Sequence, residues 1–132
     1  MNQPAEEPIP EHVRRFIVDH IQSVESLEVL LLCFAGSSGE HSPAEVSRAL
    51  YTSLESATTR LDELHRDKLL VTSGADPMKY RFNSASPDTA VVADLEKIYK
   101  QRRVSVISFI YSKPTDPLRA FSDAFRLRKD EP

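Results

Sequence analysis

The sequence predicts a small, mainly α-helical domain with one short β-hairpin, and three observations carry that expectation. Apolar residues recur along most of the chain at the three- and four-residue spacing of helices buried on one side. Two helix starts pair a hydroxyl residue with a glutamate three places on, Ser42 with Glu45 and Thr52 with Glu55. Finally, an apolar Leu69-Leu70-Val71 is followed, across a turn-forming stretch, by the alternating Lys79-Tyr80-Arg81-Phe82.

At 132 residues the chain has room for a single core, and its 40% hydrophobic and 28% charged content is ordinary for a globular protein. Residues 1–10 hold three prolines and two glutamates, so residues 1–9 read as a flexible arm. The domain proper is expected at residues 10–112, with a C-terminal helix and tail in residues 113–132. Val13, Phe16, Ile17 and Ile21 predict a first helix at residues 10–21. Ser23 is placed to cap a second helix reaching Ala35, with Glu25 and Glu28 in its favourable first turns. Its Leu27, Leu30, Leu31 and Phe34 would face the core, and Gly36-Ser37-Ser38-Gly39 would stop it.

The next stretch is the most informative. Ser42-Pro43-Ala44-Glu45 joins a capping box to a proline at the first helical position, where no amide donor is needed. The short helix it opens would run through Leu50 and bury Val46, Ala49 and Leu50. Thr52-Ser53-Leu54-Glu55 reads as a second box, opening a longer helix with Leu54, Ala57, Leu61 and Leu64 in one stripe. Two capped helices joined by so tight a break form a helix-turn-helix. Ser73-Gly74-Ala75-Asp76-Pro77 supplies the hairpin turn. Ser86-Pro87-Asp88 then opens a long helix with Val92, Leu95, Ile98, Tyr99, Val106, Phe109 and Ile110 on its apolar side, ended by Lys113-Pro114. Asp116-Pro117 starts a last short helix lined by Leu118, Phe121 and Phe125.

The formal net charge of −3 conceals an asymmetry. Residues 1–96 carry 8 basic and 16 acidic side chains, whereas residues 97–129 carry 9 basic and 2 acidic. Attraction to a polyanion is expected from the C-terminal third, and the complementary halves also suit self-association. The longest apolar run, residues 29–35, is too short to span a bilayer, so no membrane partner is expected. No basic-then-apolar leader opens the chain, which points to a cytoplasmic protein. The lone Cys33 allows no internal disulfide and reads as a small buried hydrophobe. His12, His20, His41 and His65 are scattered, so no metal site is expected. With no nucleophile–base spacing and no phosphate-cradling glycine loop, neither catalysis nor a cofactor is expected.

In element order the chain resembles the winged helix-turn-helix regulators, and the MarR family most. The resemblance covers nearly everything after residue 10 and is most specific at the two boxes and the hairpin of residues 69–82. It implies a homodimer held by the first and last helices, with Val92, Leu95, Tyr99, Phe109, Leu118, Phe121 and Phe125 in the interface. It also implies that each recognition helix enters a major groove of double-stranded DNA. Residues 72–79 hold no arginine, where the family's wing carries an acidic residue followed by arginines, and the first helix is short for the family.

On the recognition helix Ser53, Ser56, Thr59 and Arg60 lie away from the apolar stripe and are the expected DNA contacts. Only Arg60 among them can grip guanine through two hydrogen bonds. Lys79 and Arg81 on the hairpin are placed to touch phosphates beside the groove. Against these stands the acidity of the same helix, where Glu55, Asp62, Glu63 and Asp67 outnumber Arg60, Arg66 and Lys68. Lys97, Lys100, Arg102 and Arg103 form a basic cluster suited to nucleic acid or to the acidic half of a partner subunit. Two functions stay open: a dimeric DNA-binding transcription regulator, favoured by the common use of this fold, and a winged-helix module that holds another protein.

Overall fold

A computed structural model of the chain describes residues 9–35, 40–74 and 76–112. Within them the order is α1 (Glu11–His20), α2 (Val24–Ala35), α3 (Pro43–Leu50), α4 (Leu54–Arg66), β1 (Leu70–Thr72), β2 (Tyr80–Phe82), α5 (Thr89–Gln101) and α6 (Arg103–Ser112). The fold is thus mainly helical with one two-stranded antiparallel sheet, as the sequence predicts.

Helix α2 is the hub, packing against α3, α4, α5 and β2. Its Ser23 hydroxyl accepts the Ser26 amide at 3.0 Å, the expected cap. Leu27, Leu30 and Cys33 are buried as anticipated, but so is Val29, while Leu31 and Phe34 are only half-buried. A helix covered from several sides buries more than one stripe, so periodicity alone undercounts its core residues. Helix α1 closes on α5 through Val13, Phe16 and Ile17.

The first capping box forms in full. The Ser42 amide donates to Glu45 Oε1 at 2.8 Å, and the Glu45 amide donates to the Ser42 hydroxyl at 3.2 Å. Eight residues turn only Val46 fully inward; Ala49 is exposed and Leu50 half-buried, contrary to expectation. Tyr51, at φ 56 and ψ 44, ends α3 in the left-handed region. The Ser47 hydroxyl holds the break by donating to the Thr52 carbonyl at 2.6 Å.

The second box does not form as predicted. Ser53, not Thr52, caps α4, its hydroxyl accepting the Ser56 amide at 3.0 Å. Thr52 instead donates its hydroxyl to Glu25 on α2. Both residues can cap a helix, and the backbone turns helical only after Ser53, with Thr52 tied to α2. Ala57, Leu61 and Leu64 line the core, whereas Leu54, expected in the same stripe, is 55% exposed at the first position of α4. Replacing Ser42 or Ser53 by alanine is expected to cost about 1 kcal/mol each in urea unfolding. A silent Ser53→Ala would return the cap to Thr52.

The strands pair in the register Leu70↔Phe82, Val71↔Arg81 and Thr72↔Tyr80. His41 adds a bridge beside them, exchanging backbone hydrogen bonds of 2.8 and 2.9 Å with Tyr80. Gly74 takes φ 75 in the turn, a conformation that a side chain would strain. Phe82 meets Phe34 edge-on at 4.9 Å, and the Tyr80 hydroxyl donates to Asp62 at 2.9 Å, which fixes the hairpin to α2 and α4.

Two differences mark the C-terminal helices. Ser86 and Pro87 form a turn, with the Ser86 hydroxyl accepting the Asp88 amide at 3.0 Å, and α5 starts only at Thr89. The long helix is also broken: Arg102, at φ −137 and ψ 58, separates α5 from α6. Val92, Leu95 and Tyr99 are followed three residues on by Arg102, so an unbroken helix would carry a guanidinium into the core stripe, at high cost. After the break Val106 and Ile110 return to the core. The expected closing helix, with Leu118, Phe121 and Phe125, lies outside the described residues.

Candidate nucleic-acid interface

The capped α3, the break at Tyr51 and the buried row of α4 together decide which side chains α4 presents. Glu55, Thr59, Asp62 and Arg66 recur at helical spacing on its exposed face, with Leu54 in the first turn. Tyr51, immediately before, is 96% exposed. The Thr59 hydroxyl donates back to the Glu55 carbonyl at 3.0 Å.

Ser56 and Arg60 turn the other way. The Ser56 hydroxyl donates to Glu25 Oε1 at 2.6 Å, and Arg60 Nε donates to the same oxygen at 3.0 Å. Arg60 also donates to Glu63 at 2.9 Å. Hydrogen bonds from Ser56 and Thr52, then the Arg60 pair, hold the Glu25 carboxyl below its ordinary range despite partial burial. Arg60 is in turn made still more basic, first by Glu25 and then by Glu63. The four expected contacts on this helix therefore divide: Ser53 and Thr59 lie on the open side, Ser56 and Arg60 on the side facing α2. Glu25 itself was legible only as a helix-start charge, because its partners lie 27 to 35 residues away in sequence.

On the hairpin Arg81 is exposed, 3.8 Å from Glu40, and Lys79 is half-buried with its amide donating to the Ser73 hydroxyl at 3.1 Å. In the basic cluster Arg103 donates to Glu28 at 2.9 Å and lies 4.8 Å over the Tyr99 ring, answering an acid of its own chain. The Tyr99 hydroxyl donates to the same carboxylate at 2.8 Å, and burial followed by that carboxylate pushes its pKa up to about 12. Lys97 and Lys100 are exposed and Arg102 half-buried.

Of the expected interface residues, Val92, Leu95 and Tyr99 sit in the core of the domain itself and Phe109 is half-buried. The exposed apolar surface of the terminal helices belongs to Val104 and Tyr111 on α6, 76% and 80% exposed, and to Val18 on α1. Between α1 and α6 a cavity of about 390 Å³ is lined by Glu11, Arg14, Arg15, Val18 and Phe109. Arg14 Nε is buried with no hydrogen-bond partner among the described residues.

Cys33 is buried, and desolvation pushes its thiol up to about 12, which leaves it unreactive at neutral pH. Among the described residues no group of three histidine, cysteine or carboxylate side chains is arranged to hold a metal ion, and no helix is long and apolar enough to cross a membrane. His12 pairs with Asp94 at 2.8 Å and His20 with Asp67 at 3.0 Å, tying α1 to α5 and to the end of α4.

No family model matches the sequence, and no curated protein matches it in sequence. Solved structures do match its shape. BpsR of Bordetella bronchiseptica, described as regulated in its DNA binding by 6-hydroxynicotinic acid, superposes with a TM-score of 0.52 at 16% identity, over 98% of this chain and 96% of its own. MepR, a transcription regulator of the Staphylococcus aureus multidrug efflux pump MepA, gives 0.52 at 12% identity over 90% and 87%. A MarR family protein from Bacillus stearothermophilus gives 0.48 at 13% over 92% and 82%. At these identities the likeness is one of fold, and it covers 90% or more of the chain. The chain has a MarR-like winged-helix fold, shared with BpsR and MepR.

Proposed function

We propose that the protein is a DNA-binding transcription regulator, acting in the cytoplasm as a homodimer, with α4 in the major groove and the hairpin flanking it. The observation that carries this reading is the division of α4. Its inner face is fixed to α2 through Ser56, Arg60 and the buried leucines, while Leu54, Glu55 and Thr59 on its outer face are exposed. That is the presentation a recognition helix needs. Ser53 and Thr59 on α4, with Lys79 and Arg81 on the hairpin, are the proposed phosphate contacts, and Ser56 and Arg60 support the helix from behind.

Dimerisation is proposed through α1 and α6. Helix α6 carries Val104, Val106, Ile107, Phe109, Ile110 and Tyr111, yet only Val106 and Ile110 are fully buried within the domain, and Val104 and Tyr111 stand open. Large apolar side chains left open on a terminal helix suit an interface. A second copy against Val18, Val104 and Tyr111 would cover them and would also offer Arg14 a partner. Sedimentation is expected to show a dimer that Val104→Glu dissociates; a wild-type monomer at on the order of tens of micromolar would remove this part of the reading.

The function is tested by titrating random and selected duplexes as salt is raised. Binding is expected to weaken with salt, and Lys79→Ala or Arg81→Ala to lower the slope by about one unit each. One observation favours the alternative of a protein-holding module: Arg60 is neutralised by Glu25 and Glu63, and the open face carries Glu55 and Asp62. Absence of retention on duplex DNA at low salt would decide for it.

A further inference from the structure

Granting the DNA-binding reading, on which this rests, we infer that α4 reads pyrimidine edges: thymine methyl groups through Tyr51 and Leu54, and the cytosine amino group through Glu55, with Arg60 reading no base.

Tyr51 occupies a left-handed backbone conformation at φ 56, where glycine is the default residue and a side chain is strained. Its ring is 96% exposed and packs on nothing that would offset the strain. The fold gains nothing from a tyrosine there, which points to a use outside the fold. Leu54 is the second such residue. It stands at the first position of α4, 55% exposed, on a helix whose other leucines are completely inside. Two large apolar side chains thus flank the N-terminal turn of the recognition helix, the part that contacts base edges in helix-turn-helix proteins.

The major groove offers such side chains one apolar partner, the C5-methyl of thymine. Glu55, exposed beside Leu54, is an acceptor only, and the group it matches best in the groove is the N4 amine of cytosine, since the N6 amine of adenine stands beside the N7 acceptor that would repel a carboxylate. Guanine presents acceptors alone and would repel it. The residue suited to guanine, Arg60, has its Nε on Glu25 and a terminal nitrogen on Glu63, on the side of the helix that faces α2. The acidity that counts against phosphate contact thereby acquires a role in base choice.

The test begins with selection of duplexes bound by the wild-type protein, followed by titration of the selected site at fixed salt. Exchanging each thymine for deoxyuridine deletes only the methyl group. At one or two positions this is expected to weaken binding about fourfold, the worth of one buried methyl, and the penalty should vanish in Leu54→Ala or Tyr51→Gly. Glu55→Gln should relax the preference for cytosine at one position by about tenfold. Tyr51→Gly should bind DNA less tightly while its unfolding midpoint stays level or rises, which separates a DNA contact from damage to the fold. A selected site whose affinity depends on guanine and collapses in Arg60→Ala, with no response to deoxyuridine, would overturn the inference and leave DNA binding intact. Recovery of no bound duplex at any salt would overturn both, and Tyr51, Leu54 and Glu55 would then be the centre of a protein-docking face.

Discussion

Replacing Leu61 by alanine is expected to lower the unfolding free energy by about 2–5 kcal/mol, the largest loss anticipated for any single side chain on α4. Leu61 is fully buried at the centre of the row formed with Ala57 and Leu64, where α4 packs on α2, α3 and β1. Truncation removes three carbons from that junction, and the surrounding helices can close the void only in part. The matched substitution Leu54→Ala starts from a side chain 55% exposed and should cost well under 1 kcal/mol. Urea unfolding of the two variants is the measurement. Similar losses in both would mean that the first turn of α4 is packed as tightly as its middle, and that Leu54 is no free surface residue.

Removal of the Glu25 carboxylate is the second large effect, expected at about 1.5–3 kcal/mol for Glu25→Ala, since hydrogen bonds to a charged group are the strong ones. One carboxylate accepts from Thr52, Ser56 and Arg60, and so fixes the turn before α4 and its first two turns to α2. The loss should carry a pH signature. Folding holds this carboxyl below its ordinary value of 4.5, so its stabilisation is complete above that value and disappears as pH falls through the lower folded-state value. The stability difference between wild type and Glu25→Gln should therefore be widest near neutral pH and shrink in acid. A difference that stays constant from pH 7 to pH 3 would show that the charge contributes nothing. Glu25→Gln also loosens the hold on Arg60, and a guanine preference gained by that variant would reveal that the glutamate withholds the arginine from the groove.

Much of this architecture was legible because its causes are local. The Ser42–Glu45 box, the proline after Ser42 and the Ser23 cap each form from residues three positions apart, and each is present where the sequence puts it. The hairpin was legible from the alternation of Tyr80 and Phe82 with Lys79 and Arg81 about a turn. Element order followed from these signals, and the resemblance in fold followed from element order.

What the sequence determined by itself, then, is the set of elements and their sequence of caps and turns, since backbone hydrogen bonding and helical periodicity act over a few residues. Only the tertiary structure decided how those elements use their side chains. It put the α4 cap at Ser53 and tied the Thr52 hydroxyl to Glu25, far away in sequence. The same carboxylate turned Arg60 from an apparent surface residue into one facing α2, and the geometry of packing left Leu54 outside while Leu61 went in. The last long helix breaks at Arg102, where an unbroken helix would turn a charge toward the core. In each case a long-range partner or a desolvation cost, invisible in any short window of sequence, chose among conformations that local chemistry left nearly equal.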